Sequence, residues 1–120
     1  MPNYVDGFVM PIPTKNLAAY RAMAGKAGRI WKEHGALDYW ECVGDDLEGK
    51  GMLSFTRLTK AKPEETVILA WIVYKSRKHR DQVNAKAMAD PRLLAMCDPK
   101  NPLFDFKKMA YGGFAAIVHR

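Results

Sequence analysis

The sequence predicts an α+β fold with one antiparallel sheet, in which two helices pack against a single face of that sheet. The chain has 120 residues, of which 48% are apolar, and this is enough for one hydrophobic core and one domain spanning residues 1–120. Short strand-like runs alternate with two segments of helical periodicity, and turn-forming residues separate them. The run from residue 67 to residue 74 is apolar at every position. Both faces of that strand must therefore be covered.

The first half of the chain predicts a strand, a helix and a second strand. Residues 4–13 form strand one, which its prolines stop. Thr14 is expected to cap the first helix, and His34-Gly35 to end it. The apolar face of this helix comprises Leu17, Tyr20, Met23, Ala24, Ala27 and Trp31. Residues 36–43 form strand two, with Leu37, Tyr39, Glu41 and Val43 on one face and Asp38, Trp40 and Cys42 on the other.

The second half predicts a long connection, a strand, a helix and a last strand. Residues 44–64 are polar, and the segment 52–55 within them suits a short strand. Residues 66–74 form strand three, and Ser76 caps a second helix that runs to about residue 89, where Asp90-Pro91 breaks it. Residues 92–108 are expected to form turns. Residues 109–118 form strand four, interrupted by Gly112-Gly113.

This order, β-α-β-β-α-β, is the ferredoxin-like pattern. Its helices cover one face of the sheet, and no further element remains to cover the apolar second face of strand three. We therefore expect a homodimer that pairs through the sheet face.

Composition excludes several classes of protein. The net charge of +6 is modest, so binding to nucleic acid is not expected without a clustered basic face. The segment from residue 112 to residue 119 only faintly resembles the aromatic motif of RNA-binding sheets. No signal peptide or membrane-spanning run is apparent, and we expect a cytoplasmic location without membrane contact. The two cysteines, Cys42 and Cys97, and the three histidines match no metal or nucleophile spacing, so no metal and no cofactor is expected.

Seven segments carry a resemblance to a known family. They are Tyr4-Val-Asp-Gly-Phe8, Glu33-His-Gly-Ala-Leu37, Gly44-Asp-Asp46, Tyr74-Lys-Ser-Arg77, His79-Arg-Asp81, Met88-Ala-Asp-Pro-Arg92 and Tyr111-Gly-Gly-Phe114. The chain resembles the YbaA-like family of small bacterial proteins, within the dimeric α+β barrel group. Near Phe106 and Ala115 it departs from the family pattern, which has glycine and glutamate there.

The resemblance implies two ferredoxin-like protomers with paired sheets, each with a pocket between its helices and its sheet. Related proteins include cofactor-free monooxygenases, muconolactone-isomerase-like enzymes, haem-degrading enzymes and ligand-sensing domains. The resemblance therefore implies an architecture and leaves the activity open.

The second helix carries the candidate catalytic residues, His79 and Arg80. A helical wheel places both within about 60° of Val83, the centre of the buried face. An Arg in that position needs a partner. Arg80 either holds a ligand carboxylate or phosphate, with His79 donating or accepting a proton, or it pairs with Asp6, Asp90 or the second protomer.

The candidate ligand-binding residues are Asp6, Tyr74, Ser76 and Tyr111. Asp6 lies in a central strand and must face a partner or a cavity. The aromatic side chains either pack the core or line a pocket for a planar ligand. His34 is interpreted either as a cation that caps the first helix or as a base.

The leading hypothesis is a dimer that binds a small anionic or aromatic molecule, with cofactor-independent oxidoreductase or isomerase-type chemistry. The alternative is a ligand-sensing or structural dimer without catalysis.

Overall fold

In the computed structural model, which describes residues 3–96 and 98–120, four strands form one antiparallel sheet. The strands are β1 (Tyr4–Pro13), β2 (Asp38–Val43), β3 (Glu65–Tyr74) and β4 (Ala110–Ala115). Their order across the sheet is β2-β3-β1-β4, which is the predicted ferredoxin-like arrangement. Cys97, Met1 and Pro2 lie outside the described residues.

The helices follow the predicted order with two additions. They are α1 (Leu17–Glu33), α2 (Phe55–Leu58), α3 (Arg77–Met88) and α4 (Pro91–Met96). The predicted strand at 52–55 is wrong, because Ser54 accepts a hydrogen bond from the Arg57 amide and starts the short helix α2 there. The turns predicted for residues 92–108 likewise miss α4, which begins directly after Asp90.

Two local predictions also need correction. Thr14 does not cap α1; it opens a 3₁₀ turn, Thr14–Asn16, that runs into the helix, and Asn16 occupies the cap position without a capping side-chain hydrogen bond. The glycine pair does not interrupt β4, since Gly112 pairs with Gly7 and Gly113 with Asp6 in an unbroken register. A register that continues through glycine keeps the next side chains on their expected faces.

The hydrophobic core lies between the helices and one face of the sheet. The predicted apolar face of α1 supplies Tyr20, Ala24 and Trp31, all buried. Opposite them, β1 contributes Met10 and Ile12, and β3 contributes Ile68, Ala70, Ile72 and Tyr74. The wheel of α3 is also confirmed, with Val83 and Ala87 as its buried residues.

The second face of the sheet carries apolar side chains in solvent. The exposed fractions of Trp40, Leu69 and Phe114 are 50%, 40% and 63%. Trp40 and Trp71 stack across β2 and β3 with ring centroids 5.5 Å apart. We call this surface the open face.

None of the helices in the described part of the chain has the length and apolar character that crossing a bilayer requires. The cytoplasmic location stays a prediction.

Candidate functional site

Two neighbouring hollows lie beside α1 on the covered side of the sheet. The larger is an open groove of about 950 Å³ between α1 and the edge strand β2, which we call the α1–β2 groove. The smaller, which we call the inner cavity, is a partly open pocket of about 170 Å³ between α1 and the sheet, with walls that include Trp31, Phe104 and Met109. Both are lined by Tyr20, Ala24, Tyr39 and Glu41. These four residues therefore form the boundary between the groove and the inner cavity.

Glu41 is the polar centre of this boundary. Its Oε1 accepts a hydrogen bond of 2.7 Å from the Tyr20 hydroxyl, and its Oε2 accepts one of 2.7 Å from the Tyr39 hydroxyl. Burial raises the pKa of the Glu41 carboxyl, and the two tyrosine hydrogen bonds, which favour the carboxylate, offset part of that rise. A carboxyl group with a raised pKa can donate or accept a proton closer to neutral pH.

The same contact raises the pKa of both tyrosines. For Tyr20 and for Tyr39 the largest cause is burial, and the neighbouring charge of Glu41 adds to it. Both hydroxyls therefore remain protonated donors towards the Glu41 carboxylate.

Strand alternation and small residues position Glu41. It lies two residues after Tyr39 on β2, so the two side chains share the covered face. Its partner across the ladder is Ala70 of β3, and Ala24 of α1 is also buried nearby. These short side chains leave the space that the carboxyl group and the inner cavity occupy.

Gly28 of α1 fixes the place of Tyr39. A Cβ atom on Gly28 would lie 2.6 Å from Cδ1 and 2.8 Å from Cε1 of the Tyr39 ring. Carbon atoms pack at about 3.5–4.0 Å, so the ring can reach Glu41 only because residue 28 has no side chain. Gly25, one turn earlier, has nothing within 4 Å of the corresponding position.

The predicted residues Asp6, Arg80 and Tyr111 form a second cluster. Arg80 Nη1 donates to Asp6 Oδ1 at 3.1 Å and to the Tyr111 hydroxyl at 2.8 Å, while Nη2 donates to the Tyr4 hydroxyl at 3.3 Å. The guanidinium carbon also lies 5.0 Å from the centre of the Tyr4 ring. Of the two carboxylates considered as partners for Arg80, Asp6 is the one that it contacts, and a ligand or the second protomer as a further partner stays a prediction.

Within this cluster the pKa of Asp6 is shifted, and two buried polar atoms lack hydrogen-bond partners in the described part of the chain. Burial raises the pKa of Asp6, and the charge of Arg80 counteracts that rise. Arg80 Nε is 2.9 Å from Asp81 Oδ1, but the pair does not meet hydrogen-bond geometry, and Nε has no hydrogen-bond partner among the described residues. The buried Tyr74 hydroxyl has none there either. Neither of the two hollows described above is lined by Asp6, Arg80 or Tyr111.

Ser76 and His79 shape the start of α3. The Ser76 hydroxyl accepts a hydrogen bond from the His79 amide at 3.1 Å, which confirms the predicted cap. His79 Nδ1 accepts one from the Lys75 amide at 3.0 Å. Both side chains thus satisfy backbone donors at the helix start, and their role towards a ligand stays a prediction.

A third polar cluster ties the end of α1 to the start of α4. His34 Nε2 lies 2.7 Å from Asp90 Oδ2, and Arg92 Nη2 lies 2.9 Å from the same oxygen and 2.7 Å from Glu33 Oε2. The hydrogen bonds from Arg92 and His34 lower the pKa of Asp90. Asp90, a candidate partner of Arg80, therefore has other partners.

Sequence reasoning missed Glu41, although it placed this residue on one face with Leu37, Tyr39 and Val43. An acidic side chain on an otherwise apolar strand face was the available signal. In the part of the chain that the structure describes, no group of three or more His, Cys, Asp or Glu side chains could hold a metal ion.

Comparisons with known proteins agree with the fold. The profile of a family described as "Protein of unknown function (DUF1428)" matches residues 3–106. The uncharacterised protein YbaA of Escherichia coli is 42% identical over 115 residues, which is 96% of this chain and 97% of YbaA. The predicted resemblance to the YbaA-like family is therefore confirmed.

Solved structures show the same architecture at low sequence identity. A mutant of SnoaB, a cofactor-independent oxygenase from Streptomyces nogalater, gives a TM-score of 0.63 at 12% identity, covering 99% of this chain and 97% of its own. A dimeric ferredoxin-like protein from an uncultured marine organism gives 0.61 at 10% identity, with full coverage of both chains. A NIPSNAP family protein of unknown function from Agrobacterium tumefaciens gives 0.60 at 17% identity, covering 96% and 88%. At such identities the likeness concerns the fold alone.

Proposed function

The chain belongs to the DUF1428 family, whose function is unknown, and we propose that it binds a small molecule in the α1–β2 groove and transfers a proton at Glu41. The observation that carries the proposal is the Glu41 carboxyl, held between the Tyr20 and Tyr39 hydroxyls where the groove meets the inner cavity. A concave, largely apolar site with a few convergent polar groups suits a small ligand.

The proposed chemistry needs no cofactor and is either an isomerisation, in which one proton moves between two atoms of the ligand, or an oxidation in which molecular oxygen accepts the electrons of the deprotonated ligand. As a carboxylate, Glu41 accepts a proton from an acidic C–H or O–H group of the ligand; as a carboxylic acid it returns that proton to another atom. The two tyrosine hydroxyls hold the carboxyl group in place and stabilise its charged form. A structural relative of this fold is described as a cofactor-independent oxygenase, which supports cofactor-free chemistry as a proposal for this chain.

One observation favours the non-catalytic alternative. Each oxygen of Glu41 already accepts a hydrogen bond from the protein, so the carboxyl group could serve only to orient Tyr20 and Tyr39. In that case the groove senses a ligand without changing it. In both the catalytic and the non-catalytic function, we propose that the ion pair between Arg80 and Asp6 has a structural role.

The test combines ligand discovery with a single conservative substitution. Protein isolated rapidly from cells is analysed by native mass spectrometry for bound small molecules, and a crystal structure locates the ligand. We expect Glu41→Gln to keep ligand binding and lose turnover if the group transfers a proton. Unchanged turnover in this variant would refute the role of Glu41, and a ligand located outside the groove would refute the site.

We further propose that two copies pair through the open face of the sheet. Trp40, Leu69 and Phe114 leave apolar surface in solvent that a second sheet would cover. A structural relative described as dimeric adds support. Light scattering should give the mass of two chains, and Leu69→Arg should give the mass of one. Leu94→Arg, a matched change at a 62% exposed site on α4, should remain dimeric. A monomeric wild type would refute the pairing.

A further inference from the structure

Cationic side chains of α1 line the outer wall of the α1–β2 groove. Arg21, Arg29 and Lys32 of α1 line the groove. Lys32 Nζ donates to the Leu37 carbonyl at 2.9 Å. Arg21 and Arg29 are exposed, and neither forms an ion pair with a carboxylate in residues 3–96 or 98–120.

The two acidic side chains that line the groove have hydrogen-bond partners other than the arginines. Asp38 accepts a hydrogen bond from the Trp40 indole at 2.9 Å and another from the Tyr39 amide at 3.1 Å. Glu41 faces the two tyrosine hydroxyls, and its burial favours the neutral form. Neither acid forms an ion pair with Arg21 or Arg29 within the described residues, so both guanidinium groups are available to a ligand.

Between the two arginines lies a stretch of α1 that carries no side chain at Gly25. Arg21, Gly25 and Arg29 follow each other at intervals of four residues, so they form one row along α1. The arginines are about 12 Å apart along the helix axis at 1.5 Å per residue. Gly25 between them has open space where a side chain would be. A flat apolar body can thus rest on the helix between two cations.

We propose that the ligand of the groove is an amphipathic anion: a flat apolar body that bears one carboxylate, sulfonate or phosphate group. The anionic group binds the guanidinium group at one end of this stretch, that of Arg21 or of Arg29, at the rim. The body packs over Gly25 and the Tyr39 ring, and an oxygen atom of the ligand reaches Glu41. This inference rests on the proposed function, because it assigns a ligand class to the same groove.

The probes are two dyes that share one aromatic body. 8-Anilinonaphthalene-1-sulfonate carries a sulfonate, and N-phenyl-1-naphthylamine is its neutral counterpart. Binding of both is measured by fluorescence titration to the full-length protein, to an Arg21→Gln/Arg29→Gln variant and to a Lys26→Gln/Lys78→Gln control. The control removes the same charge from positions that do not line the groove. Circular dichroism checks that each variant is folded.

A third variant locates the dyes. Gly25→Phe adds a ring at a position that lines the groove, and the first atom of the new side chain meets nothing within 4 Å. Gly25→Ala is its matched control. Binding of a dye in the groove should be blocked by Gly25→Phe and retained in Gly25→Ala.

We expect the arginine variant to weaken sulfonate binding about tenfold, because it removes one charge-assisted contact and a second, partly screened charge nearby. The lysine control and the neutral dye should change less than about twofold, and added salt should weaken only the sulfonate. If Gly25→Phe blocks both dyes but the arginine variant affects neither, the anionic class is refuted and the proposed function stands. If Gly25→Phe blocks neither dye, the inference is overturned, and the groove is refuted as the binding site as well. If the sulfonate dye does not bind the wild type, the inference alone is overturned.

Discussion

Replacing Gly28 with alanine should destabilise the protein although the same change stabilises most helices. Glycine to alanine inside a helix contributes about 0.5–1 kcal/mol of stability. At residue 28 the new Cβ would lie 2.6 Å from Cδ1 of the Tyr39 ring, which must move by about 1 Å to reach an ordinary contact distance. Overpacking of this kind costs about 1–3 kcal/mol, and the lost Tyr39–Glu41 hydrogen bond costs about 1–2 kcal/mol more. The net loss should be about 2 kcal/mol.

Gly25→Ala is the matched control, because it lies on the same helix in open space. It should raise the free energy of unfolding by about 0.5–1 kcal/mol, so the two alanine variants should differ by about 3 kcal/mol. Urea unfolding followed by tryptophan fluorescence, at one protein concentration, measures both. Equal stabilisation by the two substitutions would refute the contact between Gly28 and Tyr39, and with it the positioning of Glu41.

Three further predictions concern the buried charges and the last strand. Burial raises the pKa of Glu41, so the folded state binds the proton of this carboxyl group more tightly than the unfolded state does. Its contribution to the free energy of unfolding is therefore fully present below the unfolded pKa of about 4.3, and it is lost as the pH rises through the folded pKa. In urea unfolding across this pH range, the free energy of unfolding should fall less steeply with pH for Glu41→Gln than for the wild type. Parallel curves of that free energy against pH would argue against a buried carboxyl group. Arg80→Met leaves the 2% exposed Asp6 carboxylate unpaired and should cost about 3 kcal/mol in the same assay. Adding Asp6→Asn should recover part of that loss, and simple additivity would contradict the ion pair. Gly113→Ala places a Cβ against the Tyr4 ring and should lower the melting temperature by several degrees, equivalent to about 1–3 kcal/mol; an unchanged melting temperature would contradict this packing.

The sequence narrowed the partners of Arg80 but could not choose among them. The helical wheel placed Arg80 towards the sheet, and the cost of an unpaired buried charge required a carboxylate or a ligand. Asp6 and Asp90 were equally acceptable on that reasoning. The choice depended on how α3 lies across β1, because only that crossing brings Arg80 within 3.1 Å of Asp6.

The hydrogen-bond partners of Glu41 could only in part be predicted from the sequence. Alternation along strand two placed it on the same face as Tyr39, but alternation does not reveal what lies opposite. Tyr20 is 21 positions away in the sequence and reaches Glu41 only after α1 packs over β2. Gly28 gave no sequence signal either, since its importance depends on the Tyr39 ring that approaches it.

The sequence by itself determined the order of the strands and main helices and the side of each that is buried, because those features follow from periodicities of two and 3.6 residues along a local stretch of chain. It also indicated that the open face is apolar, since strand three has apolar residues on both of its faces. Only the tertiary structure decided which polar groups meet: Glu41 with Tyr20, Arg80 with Asp6, and Asp90 with His34. Each of these pairs joins distant segments, and their distances depend on how helices cross the sheet, to which local periodicity is insensitive.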